Sequence, residues 1–72
     1  MGDPMWLFDT RDDPVCPRVA YWLNGTLSVY YEVGVAIGDV SRQKLNDMIG
    51  AGDLLVMSSC QADYYADLLE VE

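Results

Sequence analysis

The chain has 72 residues and carries twelve Asp and Glu against four Lys and Arg, so its formal net charge at pH 7 is -8. This length allows one domain, spanning residues 1–72, with a small core. The absence of His excludes Ser-His and Cys-His nucleophile systems and removes the commonest metal ligand. Hydrophobic residues make up 51% of the chain, which is too apolar for intrinsic disorder despite the charge.

The start of the chain shows no sign of export or membrane insertion. Residues 1–4 lack the basic and apolar regions of a signal peptide, and no apolar run approaches the roughly 18 residues that span a bilayer. We therefore expect a cytoplasmic protein with no membrane partner. Cys16 and Cys60 could close one loop, but an intracellular location favours reduced thiols. A second Met, Met5, leaves open that residues 1–4 are a disordered or vector-derived leader.

The clearest signal for secondary structure is the pair Asn24-Gly25 between two strand-like runs. This pair suits a two-residue type I′ turn, which predicts a β-hairpin with Trp22 opposite Leu27. Both faces of the hairpin carry apolar side chains. We therefore expect a helix or a partner to cover the second face.

Other strands are predicted on either side of this hairpin. Residues 5–8 are predicted to form a short strand or an anchoring arm, and residues 33–38 to extend the second strand of the hairpin with a bulge at Gly34. Residues 54–57 are apolar and predict a buried strand.

Two helices complete the predicted elements. The first covers about residues 40–49, with Asp39 or Ser41 as its N-cap and Gly50 at its left-handed C-terminal position. The second covers about residues 61–71, and its predicted apolar stripe consists of Tyr64, Tyr65, Leu68, Leu69 and Val71. The sequence thus predicts an α+β fold, in which a small antiparallel sheet built on the Asn24-Gly25 hairpin packs with two short helices.

Negative charge is concentrated at the end of the chain, where residues 53–72 hold five acids and no base. On a helix over residues 61–71, Asp63, Asp67 and Glu70 share one side. A solvated face that only keeps the protein soluble is one interpretation. The other is a surface that binds a basic partner, because a threefold excess of acids costs self-repulsion. The predicted partner-binding residues are Asp53, Asp63, Asp67, Glu70, Glu72, Tyr30 and Tyr64.

No residue pattern predicts catalysis, a metal or a cofactor. Asp9, Asp12 and Asp13 lack the spacing of a calcium loop and favour a solvated turn. Cys60 has no His to activate it, and the glycines are not followed by the Gly-Lys-Ser/Thr of a phosphate-binding loop. We interpret the chain as a protein that is not an enzyme.

Residues 32–57 resemble the helix-turn-helix stretch of small phage Cro-type repressors and excisionases. Gly38 matches the turn, Val40 and Leu45 match packing positions, and Ile49 closes the second helix. The residues at DNA-contacting positions are Ser41, Arg42, Gln43 and Lys44. This resemblance implies a DNA-binding regulator, although a chain of charge -8 neutralises phosphates poorly.

A second resemblance is one of type, carried by short length, strong acidity, absence of His and an α+β pattern. In these respects the chain is similar to phage-encoded inhibitors of host defence, among them anti-CRISPR and DNA-mimic proteins. It implies an interaction module that blocks the nucleic-acid-binding site of a partner protein by charge mimicry. The alternatives are the helix-turn-helix regulator and a structural subunit that self-associates, for example as a homodimer.

Overall fold

The structure, a computed structural model, describes residues 4–69. The elements follow in the order β1 (Met5–Asp9), β2 (Arg18–Leu23), β3 (Thr26–Tyr31), β4 (Gly34–Asp39), α1 (Arg42–Gly50), β5 (Leu54–Val56) and α2 (Ser59–Leu69). The strands form one antiparallel sheet in the order β4-β3-β2-β1-β5. This confirms the predicted α+β class, with an antiparallel sheet and two helices.

The Asn24-Gly25 hairpin has the predicted register, with Leu23 opposite Thr26 and Trp22 opposite Leu27. Asn24 and Gly25 both have positive φ, at 49° and 82°, as a type I′ turn requires. The Gly25 carbonyl also accepts a hydrogen bond from the Val40 backbone at 2.8 Å. The turn therefore both joins β2 to β3 and holds the segment that leads into α1.

The prediction for residues 33–38 is corrected by the structure, because the chain reverses at Glu32 and Val33 instead of continuing β3. Tyr31 lies opposite Gly34, so β4 runs back along β3 as a second hairpin. Gly34 begins the new strand, with φ at 155°, and is not a bulge. This turn lacks the Asn-Gly pair that marks the first one, so no equally strong local signal predicts it.

Helix α1 begins after Ser41, whose hydroxyl accepts a hydrogen bond from the Lys44 backbone at 3.1 Å. This confirms Ser41 as the N-cap. The predicted C-terminal position was wrong, because Gly50 is the last helical residue and Gly52 takes the left-handed conformation, with φ at 85°. The backbone of Gly52 donates to Ile49 and that of Asp53 donates to Met48, which is a Schellman motif.

The core lies between the sheet and α1, on the side that we call the α1 face. Buried side chains from β1, β2, β3 and β5 meet Leu45 and Met48 of α1 there. Trp22 closes one end of this core, since its indole N–H donates to the Val40 carbonyl at 2.7 Å. The buried core residues are Leu7, Ala20, Trp22, Leu27, Val29, Leu45, Met48 and Leu54.

Strand β5 is an edge strand, which corrects the prediction of a fully buried one. Leu54 and Met57 are buried, but Leu55 and Val56 are more than half exposed. Among the described residues the strand pairs only with β1, where Leu7 lies opposite Val56. Its start is held by Thr10, whose backbone N–H donates to the Asp53 carbonyl at 2.9 Å.

Helix α2 lies against the opposite side of the sheet, which we call the α2 face. Ser58 and Gln61 cap it reciprocally: the Ser58 backbone donates to Gln61 Oε1 at 3.0 Å, and the Gln61 backbone donates to Ser58 Oγ at 3.3 Å. The helix therefore starts earlier than the predicted residue 61, and residues 70 and 71 lie outside the described part of the chain. Within residues 4–69, neither helix is long and apolar enough to cross a bilayer.

Residues 32–57 do not form a helix-turn-helix. Residues 34–39, where the first helix of that motif would lie, form strand β4, and α1 is flanked by strands on both sides. Alternating small and β-branched residues from Gly34 to Gly38 suit a strand paired with β3 better than a short unpaired helix. The resemblance to Cro-type repressors is therefore not matched by the geometry of this segment.

Candidate interaction surface

The α2 face of the sheet carries a row of aromatic side chains. Trp6 on β1 contacts the ring of Tyr21 at 4.6 Å between centroids and stacks near Tyr30 at 6.2 Å. Phe8, two residues along β1, meets the ring of Tyr65 on α2 edge-on at 5.9 Å. Because these rings lie on neighbouring strands on one side of the sheet, they form an apolar surface on the side of the sheet where α2 packs.

Tyr30, one of the predicted partner-binding residues, is half-buried in this row. Burial raises the pKa of its hydroxyl, and the neighbouring Tyr21 raises it further. The side chain therefore stays neutral at physiological pH. It offers an apolar ring that is already positioned by Trp6 and an uncharged hydroxyl, which suits a contact at the rim of an interface.

Helix α2 turns Ala62, Tyr65, Ala66 and Leu69 toward the sheet, since these are its half-buried residues, and none of its described residues is fully buried. The apolar stripe predicted from the sequence is therefore rotated. Tyr65 faces inward as expected, but Tyr64 is 61% exposed and Leu68 is 58% exposed. The Tyr64 ring packs edge-on against the Tyr65 ring, with 5.0 Å between centroids, and this contact holds the exposed ring in position.

Asp63 and Asp67 are both exposed on α2. They lie one helical turn apart, about 6 Å along the axis. Tyr64 and Leu68 follow them directly, so acidic and apolar side chains alternate around the exposed part of this helix. The structure thus places Asp63, Asp67 and Tyr64 on one helix, with all three side chains exposed. Glu70 and Glu72, predicted to extend this surface, lie outside the described residues.

Asp53 lies apart from α2, in the tight loop between α1 and β5. Its backbone N–H donates to Met48, and its carbonyl accepts from Thr10. The pKa of Arg11 is raised mainly by its hydrogen bond to Asp9. The negative charge of the Asp53 carboxylate raises it further. The structure gives Asp53 a place in the loop that joins α1 to the sheet and does not bring it to α2.

Three of the basic side chains are engaged inside the molecule. Arg11 forms a bidentate pair with Asp9, with nitrogen-oxygen distances of 2.9 and 2.8 Å. The guanidinium of Arg18 lies 3.8 Å from Asp12 and 4.5 Å from the centre of the Tyr31 ring. Arg42 lies over the Trp22 ring at 5.5 Å. These contacts place the positive charges of Arg11, Arg18 and Arg42 against side chains of the same molecule.

Most carboxylates, in contrast, have no cationic neighbour. Within residues 4–69, only Asp9 and Asp12 lie within 4.0 Å of a basic nitrogen. The carboxylates without such a neighbour are Asp13, Glu32, Asp39, Asp47, Asp53, Asp63 and Asp67. Most of the described carboxylates therefore contribute negative charge to the protein surface without forming an ion pair within the molecule.

The sequence did not predict the exposed apolar row on β4. Val35 is 49% exposed and Ile37 is 69% exposed, and both lie on the α2 face, where α2 does not cover them. Val35 lies directly opposite Tyr30. The apolar run at residues 35–37 could have indicated this row. The prediction of a bulge at Gly34, however, placed the run in a continuation of β3.

The described part of the chain contains neither a cluster of metal ligands nor a disulfide. No group of three or more Cys, Asp and Glu in residues 4–69 is arranged to hold a metal ion. Cys16 and Cys60 are both exposed and free. Asp13 caps the loop that contains Cys16, since its carboxylate accepts from the Val15 and Cys16 backbones at 3.0 and 3.2 Å.

Comparisons of the chain with protein-family models, with curated proteins and with solved structures found no match. The charge and the exposure of the residues described above are therefore the basis for proposing a function.

Proposed function

We propose that this chain is a small interaction module that binds a basic site on a protein partner, and that this site otherwise binds nucleic acid. In this proposal the chain is an inhibitor of the DNA-mimic or anti-CRISPR type. The observation that carries it is the unpaired negative charge of the exposed surface, above all Asp63 and Asp67 on α2. Direct binding of the chain to nucleic acid is disfavoured by the same charge.

The chemistry of such a complex follows from the surface of α2. Carboxylates about 6 Å apart along a helix are spaced on the order of phosphates along a nucleic-acid strand, so they can occupy a groove lined with Arg and Lys. Opposite potentials accelerate the encounter. Exposed Tyr64 and Leu68 supply the apolar contact that slows dissociation, because aromatic side chains at the centre of an interface carry much of the binding energy.

A pair of charge reversals tests the proposal. Asp67→Lys on α2 and Asp47→Lys on α1 change the net charge equally, and both positions are exposed on helices. The partner is first captured from a lysate of the expressing cells at low salt, identified by mass spectrometry and purified. We expect Asp67→Lys to weaken binding by about tenfold or more, measured by calorimetry, and Asp47→Lys to weaken it by about threefold or less.

Competition with nucleic acid is the second part of the test. Increasing amounts of the chain should release labelled nucleic acid from the purified partner, and Asp67→Lys should release it less efficiently. Two results contradict the proposal: a partner that holds the chain and its nucleic acid together, or equal loss of affinity from the two charge reversals.

A further inference from the structure

Strand β4 is an open edge of the sheet. Its six residues, Gly34–Asp39, are all exposed, and they include no Pro, Lys or Arg. Natural edge strands are usually shortened, charged or interrupted, because an unprotected edge pairs with other chains. The opposite edge follows this rule, since β5 has only three residues. The difference between the two edges singles out β4 as the one that can receive another strand.

The backbone of β4 has hydrogen-bonding groups available at this edge. The residues that flank a two-residue turn form a hydrogen-bonded pair, and such pairs then alternate along the strands. From the pair of Tyr31 and Gly34, this alternation directs Gly34, Ala36 and Gly38 toward β3. The N–H and C=O groups of Val35 and Ile37 therefore point away from β3, where an added strand would bind them.

A shallow pocket lies beside the same edge, on the α1 face. Its volume is about 230 Å³. It is lined by Leu27, Val29, Tyr31, Ala36, Ile37, Gly38 and Val40, and by Arg11, which pairs with Asp9. Because Ala36 and Gly38 carry little or no side chain, the pocket is accessible from the edge of β4. Every second side chain of an added strand would point toward this pocket, and the others would lie beside Val35 and Ile37.

The charges around β4 indicate the chemistry of the occupant. Glu32 and Asp39 stand just before and at the end of the strand, and both are exposed without a basic nitrogen within 4.0 Å. If two copies of β4 paired antiparallel, the Asp39 end of each would approach the Glu32 end of the other. Like charges that face each other across strands are destabilising. A strand with Lys or Arg at its two ends would instead meet opposite charges.

We propose that β4 binds an extended segment of a protein partner as a sixth strand, and that this segment has alternating apolar residues between terminal Lys or Arg residues. The inference rests on the proposed function, because it names the part of the basic partner that the sheet receives. It places a backbone contact at β4, in addition to the charge contact at α2.

The test uses the intact chain and a displayed library of random peptides of roughly ten residues, long enough for one strand. Selected peptides are then synthesised in two forms: unmodified, and N-methylated at every second residue on the side that would bond to β4. We expect the selected peptides to carry Lys or Arg near both ends. N-methylation should weaken binding by about tenfold or more, because it removes backbone donors without changing charge.

Two variants of Val35 provide the matched control in the protein. Val35→Pro removes an outward N–H that the sheet does not use, and Pro is tolerated at such a position of an edge strand. Val35→Thr keeps that N–H and the β-branched shape. Peptide affinity should fall by about tenfold with Pro and by about threefold or less with Thr. On the unaltered protein, the peptide should also slow amide exchange at Val35 and Ile37.

Three results would overturn the inference: no selected binder, binding that N-methylation and Val35→Pro leave unchanged, or protection of the Val35 and Ile37 amides by self-association alone. Its failure is distinguishable from that of the proposed function. If Asp67→Lys weakens binding of the captured partner and Val35→Pro does not, the proposed charge contact at α2 is supported and the proposed sixth strand at β4 is contradicted. If neither variant has an effect, both proposals fall.

Discussion

Asp9 is the buried charged residue of the described chain, with 4% of its surface exposed. Its carboxylate accepts the two guanidinium bonds of Arg11 and also the Arg11 backbone N–H at 3.0 Å. The side-chain hydrogen bond from Arg11 lowers the pKa of Asp9 and outweighs the opposing effect of burial. This pair fixes the point where β1 ends and the following loop begins.

The stability contributed by Asp9 depends on pH in a defined direction. Because its pKa is lowered in the folded state, the contribution is present above the ordinary value of 3.8 and is lost as pH falls through the folded-state pKa. We expect Asp9→Asn to lower the free energy of unfolding by about 1–2 kcal/mol at neutral pH, since Arg11 is partly exposed. Urea denaturation should show this difference shrinking below about pH 4. Asp47→Asn, which removes one negative charge at an exposed site, is the matched control.

Gly52 and Gly50 form a matched pair of glycines at the end of α1. An added methyl group would meet no atom within 4 Å at either position, so packing does not distinguish them. Gly52 has φ at 85°, whereas Gly50 is helical. We expect Gly52→Ala to destabilise the fold by about 1 kcal/mol or more, and Gly50→Ala to stabilise it by about 0.5–1 kcal/mol. Thermal unfolding checks both signs, and a stabilising Gly52→Ala would contradict the Schellman motif.

At the scale of elements, the two helices are attached to the sheet with different strengths. Helix α1 buries Leu45 and Met48 in the core, whereas α2 buries none of its described residues and rests on Phe8 through Tyr65. An element with few buried contacts opens at a lower free energy than the rest of a domain. The helix that carries the proposed charge contact is therefore the one most easily released from the sheet.

A pair of truncations checks this difference. Leu45→Ala removes a fully buried side chain and should lower the free energy of unfolding by about 2–5 kcal/mol. Tyr65→Ala removes a half-buried ring and should cost less, about 1–2 kcal/mol. In Tyr65→Ala the amides of α2 should exchange faster while those of β1 to β4 stay protected, measured by NMR. Uniform loss of protection across the sheet would show that α2 belongs to the same cooperative unit.

The elements that the sequence predicted are those with strong local chemistry. Asn24-Gly25 fixed the register of the first hairpin, and Ser41 with its hydroxyl fixed the start of α1. The turn at Glu32 and Val33 has no such chemistry, so residues 33–38 were predicted as an extension of β3, and the chain reversal and the exposed edge of β4 were missed. Position on the sheet is also not local: only the pairing of β5 with β1 shows that Leu55 lies at an edge. Of the candidate site, the shared side of Asp63 and Asp67 followed from helical periodicity. The exposure of Tyr64 depends on how α2 rotates against the sheet, and the separate location of Asp53 depends on the Schellman turn.

For the whole molecule, the net charge of -8 is carried by a surface on which most described carboxylates lack a cation within 4.0 Å. Such a surface favours encounter with a basic partner but repels itself in the free protein. The free chain therefore has a stability that depends on ionic strength. The acidic surface that the proposed function requires therefore lowers the stability of the free protein. This effect can be measured without knowing the partner.

Salt should stabilise the free protein. Raising the ionic strength from about 0.01 M to about 1 M shortens the Debye length from about 30 Å to about 3 Å and screens the repulsion between carboxylates. We expect the free energy of unfolding to rise by about 1 kcal/mol, which corresponds to about 4–8 °C in Tm for a domain of this size. The double variant Asp63→Asn and Asp67→Asn should show a smaller increase. A Tm that falls with added chloride would contradict the repulsion.

The place of β1 in the sheet has a consequence for the order in which the protein folds. Strands β1 to β4 pair with their neighbours in sequence, but β1 must also pair with β5, more than forty residues later. During synthesis, β1 can join β2 soon after it emerges, while its other edge waits for residues 54–56. Because pairing of distant segments is slower than local pairing, closure of this edge is expected to be the late step of folding. The nascent chain therefore keeps one edge of β1 unpaired until residues 54–56 have been made.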